Sequence, residues 1–360
     1  MTIVKCLIWD LDNTLWQGTV LEDDDVVLTD EVREVITTLD ERGILLAVAS
    51  KNDHDLAWER LERLGVAEYF VLPRIGWGPK SQSVREIATE LNFALNTIAF
   101  IDDQPAERAE VEFHLPEVRR YSAEQVATLL TLPEFSPPVS TVDSRRRRQM
   151  YQAGFARDQA RETHSGPDED FLRSLDLRMT IAPAGEEELT RVEELTLRTS
   201  QMNATGVHYS DAALHALLTD PAHEVLVVTM GDRFGPHGAV GIILLEKKPS
   251  AWHLKLLATS CRVVSFGAGA TILNWLTDQA ARAGTHLVAD FRRTDRNRMM
   301  EVAYRFAGFA ETDCACVCEL GDDAAEGVER LHLEPSAMPA PTTLTLTAAD
   351  IAPVTVSAAG

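Results

Sequence analysis

No apolar run in this sequence reaches the roughly 18 to 20 residues that a membrane-spanning helix requires, so no membrane partner is expected. The stretch MTIVKCLIWDLD is broken by acidic residues almost at once and lacks the layout of a secretory leader. Cysteine is scarce, with five in 360 residues, and the odd number argues against a disulfide framework and for reduced thiols. The default expectation is a cytoplasmic protein. Basic residues are in deficit as well, 34 against 56 acidic ones, for a formal net charge of −22. A surface of that sign repels polyphosphate, which excludes nucleic acid as an expected partner.

What is present is enough apolar residue, 45%, to build more than one core, and a chain of this length is expected to form two domains. In residues 1–131 strand-like runs alternate with helical patterns: VKCLIWD, TDEVREVITTLDERG, ILLAVAS, DHDLAWERLERLG, YFVLP, KSQSVREIATEL and NTIAFID. Repeated βα units with near-continuous apolar strands predict an α/β domain with a parallel sheet covered on both faces. Residues 132–170 read as a connector, with the turn-rich LPEFSPPVST, a basic run Arg145–Arg148 and a helix from Asp143 to Arg161.

A second domain is expected over 171–320. It begins with the strand LRMTIAPA and the helices EEELTRVEELTLRT and SDAALHALLTD. The strands HEVLVVTMG, GAVGIILLEKK and WHLKLLATS follow, then a glycine-bearing turn with a helix, the strand HLVADF and the helix DRNRMMEVAYRFAG. A last strand carries Cys314, Cys316 and Cys318 on one side; these read as packing, because tetrahedral zinc would need ligands from elsewhere. Cys6 reads as core, and the single histidines His208 and His253 as structural. Residues 321–360, rich in Ala, Pro, Thr and Ser, are predicted to be disordered.

Asp10 and Asp12 stand where the first strand ends, and a period of two puts both on one side of the sheet. Ser50, with Lys51 and Asn52 after it, ends the second strand; Lys80 opens a later helix; Asp102 and Asp103 end NTIAFI. In an open α/β sheet such strand ends border the ligand crevice. Carboxylates gathered this closely call for a hard cation such as Mg²⁺. One aspartate can attack phosphorus while another moves a proton, and a lysine and a hydroxyl can stabilise the phosphoryl group in flight.

At these residues the chain resembles the haloacid dehalogenase-like phosphohydrolases, whose motifs follow in order as DLDNT, Ser50, Lys80 and Asp102–Asp103. The resemblance implies Asp10 as nucleophile, Asp12 as general acid/base, and Ser50 and Lys80 as phosphate contacts. It also implies a Mg²⁺ site built from Asp10, Asp12, Asp102 and Asp103. The gaps after Asp12 and after Ser50 are too short for a cap domain, so the second domain is the expected cover.

The element order of the second domain resembles the GCN5-related acyltransferase fold. RVVSFGAGA, with Arg262, Gly267 and Gly269, looks like that fold's loop for holding pyrophosphate on backbone N–H groups at a helix N-terminus. Asn297 and Tyr304 match positions that touch a pantetheine arm and the leaving thiol. Cys261 precedes an arginine and a helix N-terminus, an environment that favours thiolate, and it is the expected nucleophile.

Taken whole, residues 1 to 320 resemble the FkbH-like glyceryl transferase/phosphatases of methoxymalonyl-carrier biosynthesis in polyketide pathways. The resemblance rests on CLIWDLDNTLWQGTV, ASKND, GPKSQS, FIDDQP, LRTSQMNATGVHYS, GDRFGPHGAVG and SCRVVSFGAG. It implies D-1,3-bisphosphoglycerate as substrate, a glyceryl thioester on Cys261, and the phosphopantetheine arm of an acyl carrier protein as acceptor. The turn after Cys261 departs from the family, whose members carry an MGRG-like sequence where this chain has SFGAG. Two other readings stand beside this one: a plain Mg²⁺-dependent phosphatase with a recognition domain, and a CoA-dependent acyltransferase. For the carrier's docking face, the basic run Arg145–Arg148 and the cluster Arg292, Arg293, Arg296 and Arg298 are the expected places.

Overall fold

The computed structural model describes residues 2–23, 25–137, 142–186, 189, 192, 195, 202–318, 320 and 326–351. The chain divides into two compact units, Met1–Phe155 and Ala156–Gly360.

In the first unit β1 (Cys6–Trp9), β2 (Leu45–Ser50), β3 (Phe70–Ile75), β4 (Ile98–Asp102) and β5 (Arg119–Ser122) form one parallel sheet in the order β3-β2-β1-β4-β5. Alternation divides the strands between two cores. Leu7, Trp9, Leu46 and Val48 face one, while Cys6, Ile8, Leu45, Ala47 and Ala49 face the other. The helices α1 (Asp30–Glu41), α2 (His54–Arg63), α3 (Lys80–Glu90) and α4 (Pro105–His114) connect the strands. Thr29 and Asp53 start α1 and α2 by accepting from the backbone N–H of Val32 and Leu56, which satisfies donors the helix cannot. Strand order reverses direction at β1, between β2 and β4, and there the strand ends open a crevice.

The second unit is a seven-stranded mixed sheet in the order β11-β10-β9-β8-β7-β6-β12. Its strands are β6 (Leu177–Pro183), β7 (His223–Asp232), β8 (Gly235–Lys247), β9 (Ala251–Thr259), β10 (His286–Phe291), β11 (Glu329–Leu333) and β12 (Leu344–Ala348). The pairs β9–β10 and β6–β12 are parallel and the others antiparallel. The helices Ala268–Ala283 and Arg298–Phe306 bury Ile272, Leu276, Met300 and Tyr304 in the larger core of this sheet.

Several expectations need correction. The tail predicted to be disordered supplies β11 and β12, each burying a single leucine, Leu331 or Leu344, at an edge of the sheet. The cysteine-bearing strand is instead a turn leading into the short helix Ala315–Cys318, and the strand beside β10 is β11. Alternation of Arg330, Leu331 and His332 suits a half-covered edge better than the Asp- and Thr-rich start of the cysteine segment. The connector is not a loose linker. Glu134 and Phe135 are buried in the first unit, and the predicted helix is present as Val142–Arg145 and Arg147–Thr163. The helix expected over residues 186–199 and the LRTSQ stretch preceding Met202 lie largely outside the described residues. Among the described residues no helix is long and apolar enough to cross a membrane.

Candidate active site

The site in the first unit is assembled from the ends of β1, β2 and β4 and the start of α3. Asp10 follows β1 directly, and Asn13 at φ 55° turns the chain in the left-handed region that asparagine tolerates. Thr14 closes this turn toward β4: its hydroxyl accepts from the Asp103 N–H at 2.8 Å. Arg108 fixes the β4 exit by donating to the carbonyls of Asp102 and Asp103 at 2.5 and 2.8 Å. Glu110 accepts from the N–H and hydroxyl of Ser81 at 3.0 and 2.5 Å, anchoring the first turn of α3 where no side-chain cap exists.

That anchor places Lys80, which is buried, between two carboxylates: its Nζ donates to Asp10 at 2.5 Å and to Asp102 at 2.9 Å. Burial pulls the ammonium pKa down, but the charges of Asp10 and Asp102 outweigh it and leave Lys80 above its ordinary value. Asp102 is nevertheless pushed up to about 6, by burial first and by Asp10, against the lowering effect of Lys80. Burial and Asp10 push Asp103 up as well. Three carboxylates thus stand around the single ammonium of Lys80. Carboxylate oxygens of Asp10, Asp102 and Asp103 lie within 4.8 Å of one another, and a hard all-oxygen donor set with excess negative charge fits Mg²⁺.

The carboxylate of Asp12, a residue also expected at the Mg²⁺ site, is not part of this cluster. Its oxygens accept from Trp16 Nε1 at 2.9 Å, the Val20 N–H at 3.1 Å and Asn52 Nδ2 at 2.9 Å. Burial pushes its pKa up against those three donors, which suits a group that must carry a proton. Ser50 is buried at the end of β2. Trp16, Thr14, Glu110 and Arg108 had no assigned role in the sequence reading; all act through contacts that join segments far apart or residues with no motif of their own.

In the second unit Ser260 follows β9 and caps a 3₁₀ helix, Cys261–Phe266; Cys261 is exposed and unpaired as a thiol. Arg262 turns its Nε back to the Ser260 hydroxyl at 3.3 Å. Gly267, at φ 72°, makes the left-handed turn into the helix Ala268–Ala283, and Gly269 lies in its first turn with open space where a Cβ would stand.

The expected pantetheine contacts fare differently. Beyond the Ala289–Leu254 pair β9 and β10 diverge, and the chain's own Met202–Ala204 lies between them. Thr259 N–H donates to the Met202 carbonyl at 2.8 Å, Ala204 N–H to Leu257 at 3.0 Å, and Arg292 N–H to Ala204 at 3.0 Å. Asn297 Nδ2 locks the insert by donating to the carbonyls of Asn203 and Arg292 at 3.1 and 2.9 Å. Its amide is committed to backbone and it is wholly buried, so it does not present itself to a ligand. Tyr304 is wholly buried beside Phe291 and Phe309, and burial pushes its phenol pKa up. His253 is structural, bonded through Nε2 to Asp290 at 2.7 Å. Arg147 and Arg148 are likewise engaged inside the first unit, with the Gly43 carbonyl at 2.8 Å and Asp40 at 3.0 Å, while Arg145 and Arg146 of the same run are exposed.

Residues 17–110 match the family model of haloacid dehalogenase-like hydrolases. The match begins after Asp10 and Asp12, so the roles of those two rest on their motif and geometry. A search of curated proteins found no match. Among solved structures, the chain is similar to the N-terminal part of a Bacteroides fragilis protein containing a phosphatase domain complexed with Mg. Identity there is 34% and the TM-score 0.30, over 33% of this chain and 36% of that one. It is also similar to the ribosomal-protein-S18-alanine N-acetyltransferase of Escherichia coli, at 15% identity and a TM-score of 0.33, over 45% of this chain and 96% of that one. For spermidine N-acetyltransferase from Vibrio cholerae the values are 16% and 0.32, over 43% and 94%. The first unit contains a haloacid dehalogenase-like hydrolase domain.

Proposed function

We propose that the chain is a glyceryl transferase and phosphatase that uses D-1,3-bisphosphoglycerate and passes glyceryl to an acyl carrier protein. The reading is carried by the occurrence in one chain of the Asp10–Lys80–Asp102 centre and an exposed thiol, Cys261, at the end of β9. Each fits one of the substrate's two phosphate groups. The Cys261 thiolate attacks the acyl carbon, the C–S bond forms, and the bond to the acyl phosphate breaks with release of inorganic phosphate. At the phosphomonoester, an Asp10 oxygen attacks phosphorus while Asp12 gives a proton to the departing glyceryl oxygen. Asp12 then takes a proton from the water that releases phosphate from Asp10. Lys80 holds positive charge beside the group in transfer, with Ser50 as the second phosphate contact. Mg²⁺ held by Asp10, Asp102 and Asp103 would add positive charge at the phosphoryl oxygens.

The carrier's pantetheine thiol next displaces Cys261 from the thioester, giving a glyceryl-carrier product for methoxymalonyl extender units of polyketide assembly. An acidic carrier would meet the helix Arg298–Phe306, where Arg293, Arg298 and Arg305 border a cavity of about 640 Å³ and Phe306 is 89% exposed. Intact-protein mass spectrometry after incubation with 1,3-bisphosphoglycerate and Mg²⁺ tests the reading. A glyceryl adduct is expected on the wild type and none on Cys261→Ala; Asp10→Asn should accumulate phosphoglyceryl. Phosphate release without any adduct would favour the plain phosphatase instead.

A further inference from the structure

Away from both sites, four metal-ligating side chains converge at the β10–β11 edge of the second sheet. Alternation puts His286 and Val288 on one face of β10, and register sets His332 of β11 directly opposite Val288 on that face. The segment from Cys314 folds over it, with Cys316 packing against Ala251, Val288 and Leu320. His286 Nδ1 lies 3.5 Å from Cys314 Sγ, 3.5 Å from Cys316 Sγ and 3.0 Å from His332 Nε2; the two sulfurs are 3.1 Å apart. All four ligand atoms fall within 4.8 Å of one another, and Cys316 and His332 are buried.

From this arrangement we infer a structural Zn²⁺ site formed by His286 Nδ1, Cys314 Sγ, Cys316 Sγ and His332 Nε2. With Zn–S of about 2.3 Å and Zn–N of about 2.0–2.1 Å, a tetrahedron has S···N edges of about 3.5–3.6 Å, N···N edges of about 3.3–3.4 Å and S···S edges of about 3.8 Å. The S···N separations match; on metal entry the N···N edge opens by about 0.3–0.4 Å and the S···S edge by about 0.7 Å, which the partly exposed Cys314–Cys318 turn can supply. The sulfurs are far beyond the roughly 2.05 Å of a disulfide. Two thiols lose their protons on binding and two imidazoles stay neutral, so Zn²⁺ with two thiolates carries no net charge, as a half-buried location requires. Four protein ligands close the coordination sphere, leaving no position for water or substrate. The ion clamps the Cys314–Cys318 turn and β11 onto β10. Neither thiol is used in the proposed glyceryl chemistry, and the inference stands independently of it.

The test is metal analysis of the full chain, purified without a metal-affinity tag. One zinc per chain is expected, retained when chelator removes Mg²⁺ and released when a mercurial blocks the thiols. Cobalt-substituted wild type should show the visible bands of a tetrahedral ion and thiolate charge transfer. Both should disappear in the double variant Cys314→Ser/Cys316→Ser and persist in Asp10→Asn and Cys261→Ala. Absence of cobalt thiolate bands in the wild type overturns the inference, and so does their persistence in the double variant. A mass short by two hydrogens from a Cys314–Cys316 disulfide overturns it equally. Should the double variant fail to fold, the wild-type cobalt spectrum and zinc content decide.

Discussion

Replacing Lys80 with methionine removes the one ammonium between Asp10 and Asp102 while keeping most of the buried side-chain volume. At an effective dielectric constant of about 20, contacts of this length are each worth roughly 6 kcal/mol in gross attraction. Desolvation of three buried groups takes most of that back, and breaking a buried pair by deleting one partner is expected to cost about 3–5 kcal/mol. In EDTA, Lys80→Met should therefore destabilise the first unit by that amount. The assay is denaturant-dependent hydrogen exchange read on peptides from β1 and β4, which reports this unit apart from the other. Asp10→Asn added to Lys80→Met should restore part of the loss, because one uncompensated carboxylate is then gone. A loss below about 1 kcal/mol, or strictly additive single and double variants, would refute the argument that Lys80 holds these carboxylates together.

Three further outcomes follow from the second unit. Asp232 is buried and accepts from Arg157 Nε at 2.5 Å and His237 Nε2 at 3.1 Å; although burial opposes them, these partners hold its pKa below the ordinary range. Its contribution to stability is thus present above the unfolded value of about 3.9 and lost as pH falls toward the folded one. Denaturant midpoints should drop from pH 5 to pH 2.5 in the wild type and drop less in Asp232→Asn; equal slopes would count against it. Tyr304 has a buried hydroxyl with no hydrogen-bond partner among the described residues, so Tyr304→Phe should leave the melting temperature unchanged or raise it. If acyl transfer from Cys261 falls in that variant while stability holds, the phenol acts in transfer rather than in packing. Gly269→Ala should stabilise the helix by about 0.5–1 kcal/mol, since φ is unexceptional and a Cβ meets nothing. Weakened CoA binding measured by calorimetry in the same variant would assign the glycine to ligand approach.

The first sheet was legible because each of its central strands is apolar on both faces and each functional group stands at a strand end or a helix start. The side-chain partners of Asp12, which are Trp16, Val20 and Asn52, were not legible, because they are gathered by the turn after β1 and by the exit from β2, and no local pattern announces that. The short insert Met202–Ala204 has no strand signature; it is held by backbone bonds to β9 and by the Asn297 amide, both long-range. The Cys–His cluster was missed for the same reason. Cys314 and Cys316 are visible as a pair, but their histidines come from two strands brought together by β10–β11 pairing. β11 and β12 escaped notice because edge strands bury one face only and leave a sparse apolar pattern.

The segment joining those two strands has a consequence of its own. β11 and β12 stand at opposite edges of a seven-stranded sheet, six inter-strand gaps of about 4.8 Å, or roughly 29 Å, apart. The eleven residue steps from Leu333 to Leu344 reach only about 34 Å at the roughly 3.1 Å per residue of a polyproline helix. Little slack remains, and Pro335, Pro339 and Pro341 favour that extended form before the chain folds. On its way the segment touches the helix Ala268–Ala283, where Met338 N–H donates to Asp278 at 3.3 Å. The proline content that resembled disorder thus makes a taut girdle, drawn across the helix that begins just after Cys261 and fastened at both rims of the sheet.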